Sequence, residues 1–360
     1  MKKFYLAVLL ASSMILMNAC GKAASTPAAA SSPTPASGSS TSYGSAPSYK
    51  PGQFKIRIAT VVSGEHAWVR MAEYMKDELA KRSDGAIEVS VFPGGQLGND
   101  EACIDDMRVG TLDMLIGGTQ NAAPFVSQYQ ILGLAYLFAD RNQFEGVLVK
   151  DGAVFNYIQD KYTKNGLGLK LLALCNGGQR DLHTGKEIKS IADLKNLKMR
   201  VTSSATESLV WSKLGTIPTS MSFNDIYSGM QTNTVNAFEC TAASYNANAL
   251  YEVAPYFVQT AHQFTPTHVT YSELAYKKLP ADFQALISDV ADEAGELGSK
   301  LADEADDSLI DKLVKEKGVT LCAVDKSEFK AIVEPLYPEI AMSCDGQELL
   351  DIINTDISKS

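Results

Sequence analysis

Residues 89–116 read VSVFPGGQLGNDEACIDDMRVGTLDMLI, and the period of the hydrophobic pattern changes twice within them. From Ala86 to Phe92 apolar and polar residues alternate, the spacing of a strand with one buried face. PGGQLGND then reads as a loop. It ends in a good helix cap at Asn99 or Asp100, where a short side-chain oxygen accepts an otherwise free amide N–H of the first turn. A short helix runs to Gly110, and Leu112–Ile116 is an apolar strand. Upstream, FKIRIATV (54–61) alternates as a first strand. Ser63 can cap the helix that follows, in which Trp68, Met71, Ala72, Met75 and Leu79 form one buried stripe. Ser83-Asp84-Gly85 stops it. Strand–helix–strand–helix–strand implies parallel pairing and an α/β lobe. In such sheets ligands gather beyond the carboxyl ends of the strands, so the loops at 62–68, 92–98 and 117–123 are candidate pocket walls.

The rhythm repeats downstream. Leu167–Leu174 reads as an apolar strand, followed by the turn NGGQR. In NLKMRV (196–201), Leu197, Met199 and Val201 alternate onto one face of a strand, with Lys198 and Arg200 on the other. Ser204–Leu214 is helical and stops at Gly215. Ser222 with Asp225 suggests a capping box ahead of Phe223, Ile226, Tyr227 and Met230. Val235–Cys240 is a further short strand. Asp282–Lys317 is one unbroken helical pattern, long enough to run across two lobes.

The N-terminal segment sets the expected compartment. Lys2 and Lys3 precede an apolar run, Phe4–Met17, that is short for a bilayer span, and residues 1–19 read as a secretory signal. ILMNAC (15–20) resembles a bacterial lipobox, which implies cleavage before Cys20 and a lipid on that cysteine, hence a lipid-anchored, extracytoplasmic protein. Residues 20–51 are mostly Ala, Ser, Thr, Pro and Gly, too poor in apolar surface to offset their ordering entropy, and read as a tether. About 310 residues remain, enough for two lobes. The formal net charge of −10 argues against nucleic acid and anionic membranes as partners, and requires a local cationic pocket for any anionic ligand. The six cysteines, at 20, 103, 175, 240, 322 and 344, include no CxxC pair. Removing the lipidated Cys20 leaves an odd number. Cys322 and Cys344 are the one pairing considered, against the plainer reading of buried free thiols.

Enzyme motifs fail individually. GQRDLHTGK (178–186) has six residues between its glycines where a phosphate loop needs four, and Glu187 follows its lysine. GLGLKL (166–171) lacks the third glycine of a dinucleotide fingerprint. His66, His183, His262 and His268 show no HExxH spacing, and the folded body has no GxSxG elbow. No cofactor or metal site is expected.

Arg180 and Arg200 remain, twenty residues apart. A guanidinium is planar, permanently charged and forked, so it takes a carboxylate through two parallel hydrogen bonds. Both can face one cleft if adjacent strand ends meet there; the alternative is an exposed arginine or half of a structural ion pair.

At this point the sequence resembles the solute-binding proteins of tripartite ATP-independent periplasmic (TRAP) transporters, the dicarboxylate-binding-protein family. The matching blocks are VSVFPGGQLGNDEACIDDMRVGTLDM, NGGQRDL, SIADLKNLKMRVTSSAT, LGTIPTSMSFNDIYSGMQTNTVNAFE and ELAYKKLP, in family order, within residues 54–335. The resemblance implies an α/β, two-lobed, periplasmic-binding-protein-like fold (type II-like), with hinge strands and one long helix spanning both lobes. Lobe I would comprise 52–178 and 264–303, and lobe II 179–263 and 304–360.

The resemblance also implies the site. Arg200 would clamp a ligand carboxylate, Arg180 would support it, and Phe223 would lie against the ligand. Cys240, after Glu239, and Ser203 stand where sialic-acid binders carry asparagines, which argues against sialic acid and leaves an organic acid: a uronate or other sugar acid, a C4-dicarboxylate or a 2-oxo acid. Glu239 would hydrogen-bond the hinge. Glu65, His66 and Trp68, with Thr119, Gln120 and Asn121, would supply the first-lobe wall. The implied protein is no enzyme. It closes on its ligand and hands it to membrane subunits driven by an ion gradient. The rival readings are a binding lipoprotein of an ATP-driven importer, an enzyme, or a surface adhesion or sensory module.

Overall fold

The computed structural model describes residues 49–359. The signal segment, the lipobox with Cys20 and the tether up to Ser48 lie outside the described residues.

The first α/β unit forms as its periodicity dictates. Strands β1 (Phe54–Ala59), β2 (Ile87–Phe92) and β3 (Met114–Gly118) pair in parallel, β1 lying between the other two. Helix α1 (Ala67–Arg82) buries the expected stripe from Trp68 to Leu79. Its cap is His66, whose Nδ1 accepts from the Trp68 amide, rather than Ser63. Helix α2 (Asp100–Val109) is capped by Asn99 and closed by Gly110 in the left-handed region. A short helix, α3 (Thr119–Ala122), follows β3 directly. Then come α4 (Tyr129–Leu132), α5 (Arg141–Val147) and α6 (Ala153–Lys164).

Two long strands carry the chain from one half of the sheet to the other. β4 (Leu169–Thr184) does not stop at Leu174; it runs through NGGQR and places Arg180 within the sheet. The second half contains β5 (Lys198–Val201), α7 (Ala205–Lys213), β6 (Ile217–Ser220), α8 (Ile226–Gln231), β7 (Ala237–Thr241) and α9 (Ala242–Ala247). The expected cap at Ser222 makes no side-chain bond; Phe223–Asp225 form a 3-10 turn instead. β8 (Tyr256–Ser272) returns antiparallel to β4 along nearly its whole length. The order is β2-β1-β3-β8-β4-β7-β5-β6, with β5 parallel to both β6 and β7. Antiparallel pairs thus occur only around β4 and β8, where the two α/β halves join. The β4–β8 register breaks between Asn176 and Gln179 and again between Arg180 and Leu182. Gly178 there has φ 103°, and Ala261 opposite has φ 41°.

After α10 (Glu273–Tyr276), helix α11 (Ala281–Lys317) runs 37 residues, about 55 Å at 1.5 Å per residue. Its Ile287, Val290 and Ala291 join the core of the first half with Met71 and Met114, while Leu313 joins that of the second half with Phe238 and Phe257. The short β9 (Thr320–Cys322) pairs with β8. Helix α12 (Lys326–Val333) leads to α13 (Tyr337–Ser343) and α14 (Gln347–Ile357). The last two pack on α4, α5 and α6, although residues 304–360 had been expected with the second lobe. Cys103, Cys175, Cys240, Cys322 and Cys344 are buried free thiols, so the Cys322–Cys344 pairing does not form. No described helix is long and apolar enough to cross a membrane.

Candidate functional site

A small cavity of about 30 Å³ lies where the carboxyl ends of β1, β3 and β5 converge on β4 and β7. From the first half Val61, Val62, Trp68, Gly118, Gln120 and Asn121 line it; from the second, Arg180, Arg200, Thr202, Phe223, Cys240 and Ser244.

Arg200 sits in β5 opposite Phe238 of β7 and Thr219 of β6, and only 1% of it is exposed. Its Nε donates to the Met221 carbonyl at 2.9 Å, and its guanidinium carbon is 6.0 Å from the centre of the Phe223 ring. Among the described residues no carboxylate lies within ion-pairing distance of it. A guanidinium has five N–H donors; the protein claims the one on Nε, and the terminal nitrogens have no protein acceptor among the described residues. Burial pulls the Arg200 pKa below its ordinary value, and Glu239 and Glu207 partly oppose that shift. A guanidinium still stays protonated at neutral pH.

Arg180 has a different environment. Its Nε and Nη2 bind the two carboxylate oxygens of Glu239, and Nη2 also reaches the Glu239 carbonyl at 3.2 Å. The Nε2 of His262 lies 3.6 Å from the same carboxylate. Burial alone would raise the Glu239 pKa; Arg180 and His262 overcome it and hold the carboxyl down at about 2. Burial likewise disfavours the Arg180 charge, but Glu239 more than compensates. The pair is neutral overall, which leaves Arg200 as the cavity's uncompensated positive group.

Glu207, in α7, is also buried. Its Oε2 accepts from the amide and hydroxyl of Thr202 at 3.1 and 2.6 Å, and burial raises its pKa. This orients Thr202, a lining residue that sequence reasoning missed. Trp68 presents its ring to the cavity while its Nε1 donates to the Thr267 hydroxyl at 3.0 Å. Phe223 is half-buried and packs against the cores of both halves. Cys240, 2% exposed, takes its place in β7, where burial pushes its thiol pKa up.

Of the expected wall residues, Arg200, Arg180, Phe223, Cys240, Trp68, Gln120 and Asn121 line one cavity. Glu239 acts behind it as the partner of Arg180. Four others do not line it. Glu65 is exposed and pairs with Arg70 at 3.2 Å. Ser203 gives its hydroxyl to Glu101. Thr119 is fully buried beneath the wall. His66 caps α1 and meets the Ser244 hydroxyl at 3.0 Å, joining the first half to α9; burial lowers its pKa to about 3, so the ring is neutral. Val62 and Gly118 fall in the loops 62–68 and 117–123 that the strand pattern marks as pocket walls, whereas Val61 and Ser244 carry no distinctive spacing and escaped the sequence reading.

Known proteins resemble this arrangement over most of its length. The family model described as "Bacterial extracellular solute-binding protein, family 7" matches residues 58–343. A 2,3-diketo-L-gulonate-binding periplasmic protein of Escherichia coli K12 is 31% identical over 260 residues, 72% of this chain and 78% of the relative. A TRAP solute-binding protein from Bradyrhizobium, solved with galacturonate, superposes with a TM-score of 0.78 at 29% identity, covering 84% of this chain and 99% of that one. Its counterpart from Citrobacter koseri, solved with D-glucuronate, gives 0.78 at 28% identity over 83% and 98%. These are two-lobed receptors and not enzymes. The chain belongs to bacterial extracellular solute-binding protein family 7, the extracytoplasmic solute receptors of TRAP transporters.

Proposed function

We propose that the cavity captures a sugar acid, a uronate or aldonate, with its carboxylate docked on Arg200. The observation that carries this reading is a guanidinium 1% exposed, bordering a cavity, with no carboxylate among the described residues within ion-pairing distance. A ligand carboxylate supplies the missing charge through two parallel hydrogen bonds. Phe223 and Trp68 offer apolar faces to a carbon skeleton. A C4-dicarboxylate fits less well, because the second cation, Arg180, is already neutralised by Glu239. The relatives solved with galacturonate and glucuronate support the same ligand class.

In this proposal the two halves, divided near 178 and 264, close about the irregular stretch where β4 and β8 lose register. Closure dries the ion pair and so strengthens it. The closed receptor then delivers its ligand to TRAP membrane subunits. The ILMNAC sequence supports a lipid on Cys20 that holds the receptor at the outer face of the membrane. Thermal-shift screening followed by calorimetry tests the reading. D-galacturonate, D-glucuronate or galactonate should raise the melting temperature, and sialic acid and succinate should not. If no carboxylic acid stabilises the protein, the proposal fails.

A further inference from the structure

Behind the cavity wall lies a carboxyl group that neither the fold nor carboxylate capture uses. Asp100, the first residue of α2, is 2% exposed. Its Oδ2 accepts from the Nδ2 of Asn121 at 2.6 Å, and its Oδ1 has no partner among the described residues. Gly117 leaves space at this point, since a Cβ there would meet Oδ1 at 2.6 Å. Asn121 itself borders the cavity.

The Nδ2 of Asn121 donates to this carboxyl, which turns the Asn121 carbonyl oxygen away from it, and among the described residues no protein donor reaches that oxygen. Beside it Gln120, also a lining residue, has an amide nitrogen that is buried without a partner among the described residues.

Building on the carboxylate reading above, we propose that Asp100 is a positioning residue: by fixing the Asn121 amide it makes this wall an acceptor for ligand hydroxyl groups, and so selects polyhydroxylated acids over unadorned ones. A hydroxyl both donates and accepts. The Asn121 carbonyl takes the proton of one hydroxyl, and the Gln120 amide donates to the oxygen of another. Arg200 takes the carboxylate end. A 2-oxo acid without hydroxyl groups or a plain dicarboxylate offers no proton to the Asn121 carbonyl and leaves it desolvated and unpaired, which is the strongest form of discrimination against an analogue that lacks the group.

The test measures affinity for two probes that share a ring and a carboxylate, D-galacturonate and tetrahydropyran-2-carboxylate. The readout is the ratio of their dissociation constants in wild type, Asp100→Leu, Asn121→Leu and the double variant. Wild type should favour galacturonate. Each single variant should cut the ratio by about tenfold, the worth of a well-made hydrogen bond and its desolvation. The double variant should be no worse than Asn121→Leu alone, because Asp100 acts only through Asn121. A purely structural role for Asp100 would lower both affinities together and leave the ratio intact, and that result overturns the proposal. So do additive effects in the double variant, or an unchanged ratio in Asn121→Leu, which tests the acceptor even if Asp100→Leu fails to fold. A wild-type protein that binds both probes equally refutes the hydroxyl wall alone; one that binds neither refutes the carboxylate reading beneath it.

Discussion

Replacing Arg200 with methionine should separate affinity from stability. The side chain is 1% exposed, bonds one backbone carbonyl and has no carboxylate partner among the described residues. In the unliganded protein its removal costs one hydrogen bond, about 1 kcal/mol, and relieves the desolvation of a buried charge. Methionine fills most of the space. The net effect on folding is small or favourable. With ligand present the calculation reverses: the substitution removes two charge-assisted hydrogen bonds, about 1.5–3 kcal/mol each, and strands the ligand carboxylate in a dry site. A loss of about 2–5 kcal/mol follows, or roughly thirty- to several-thousand-fold in affinity. Calorimetry with galacturonate and a melting curve without ligand measure the two halves. Arg200→Lys should also weaken binding, because one ammonium cannot reproduce the fork. Unchanged affinity in both variants, or a collapse of the unliganded melting temperature in Arg200→Met, would refute the assignment of Arg200 as ligand clamp.

Arg180→Met should behave in the opposite way: it leaves Glu239 buried without its cation, costs about 3–5 kcal/mol, and lowers the melting temperature on the order of 10 °C whether or not ligand is present. Gly177→Ala should destabilise by about 1–3 kcal/mol, since its Cβ would strike the Thr267 hydroxyl oxygen at 2.4 Å and crowd the β4–β8 junction; denaturant titration checks this. Stability should rise as pH falls from about 8 to about 6. Burial raises Asp100, Asp181 and Asp306 to about 7, so the folded state binds protons there that the unfolded chain does not, worth up to about 1.4 kcal/mol per group per pH unit. Below the ordinary histidine value the trend should flatten, because His66 and His183, lowered to about 3, and His268, lowered to about 4 by burial, stay neutral in the fold while the unfolded chain takes up protons. A melting temperature that climbs steadily from pH 6 to 8 would contradict this balance.

What the sequence discloses is what neighbours along the chain decide. The Trp68–Leu79 stripe, the Asn99 cap and the Gly110 stop are local patterns, and the structure repeats them. Arg200 was legible because alternation in NLKMRV sets it apart from Met199 and Val201. The strand through NGGQR was not: its glycines signal a turn, but β4 stays extended because β8 pairs with it from about ninety residues away. Glu239 lies 59 residues from Arg180, and no spacing rule predicts that it claims the guanidinium. Ser203 faces Glu101 rather than the cavity for the same reason: the competing acceptor comes from α2. The terminal helices carry clear apolar stripes, yet a stripe does not name the surface that covers it.

Helix α11 has a mechanical consequence. It is fastened near one end to α1 and near the other, through Leu313, to the second core, and no proline interrupts it. Any rotation of one half against the other must therefore bend this rod or slide it. Where it crosses β4 and α1 it carries Gly295 and Gly298, which allow close approach; the first nestles against Ala173 and Cys175, the second against Met71. A side chain at Gly298 would strike the Met71 thioether and lever the helix off α1, so such a substitution should alter how the two halves close without touching the ligand.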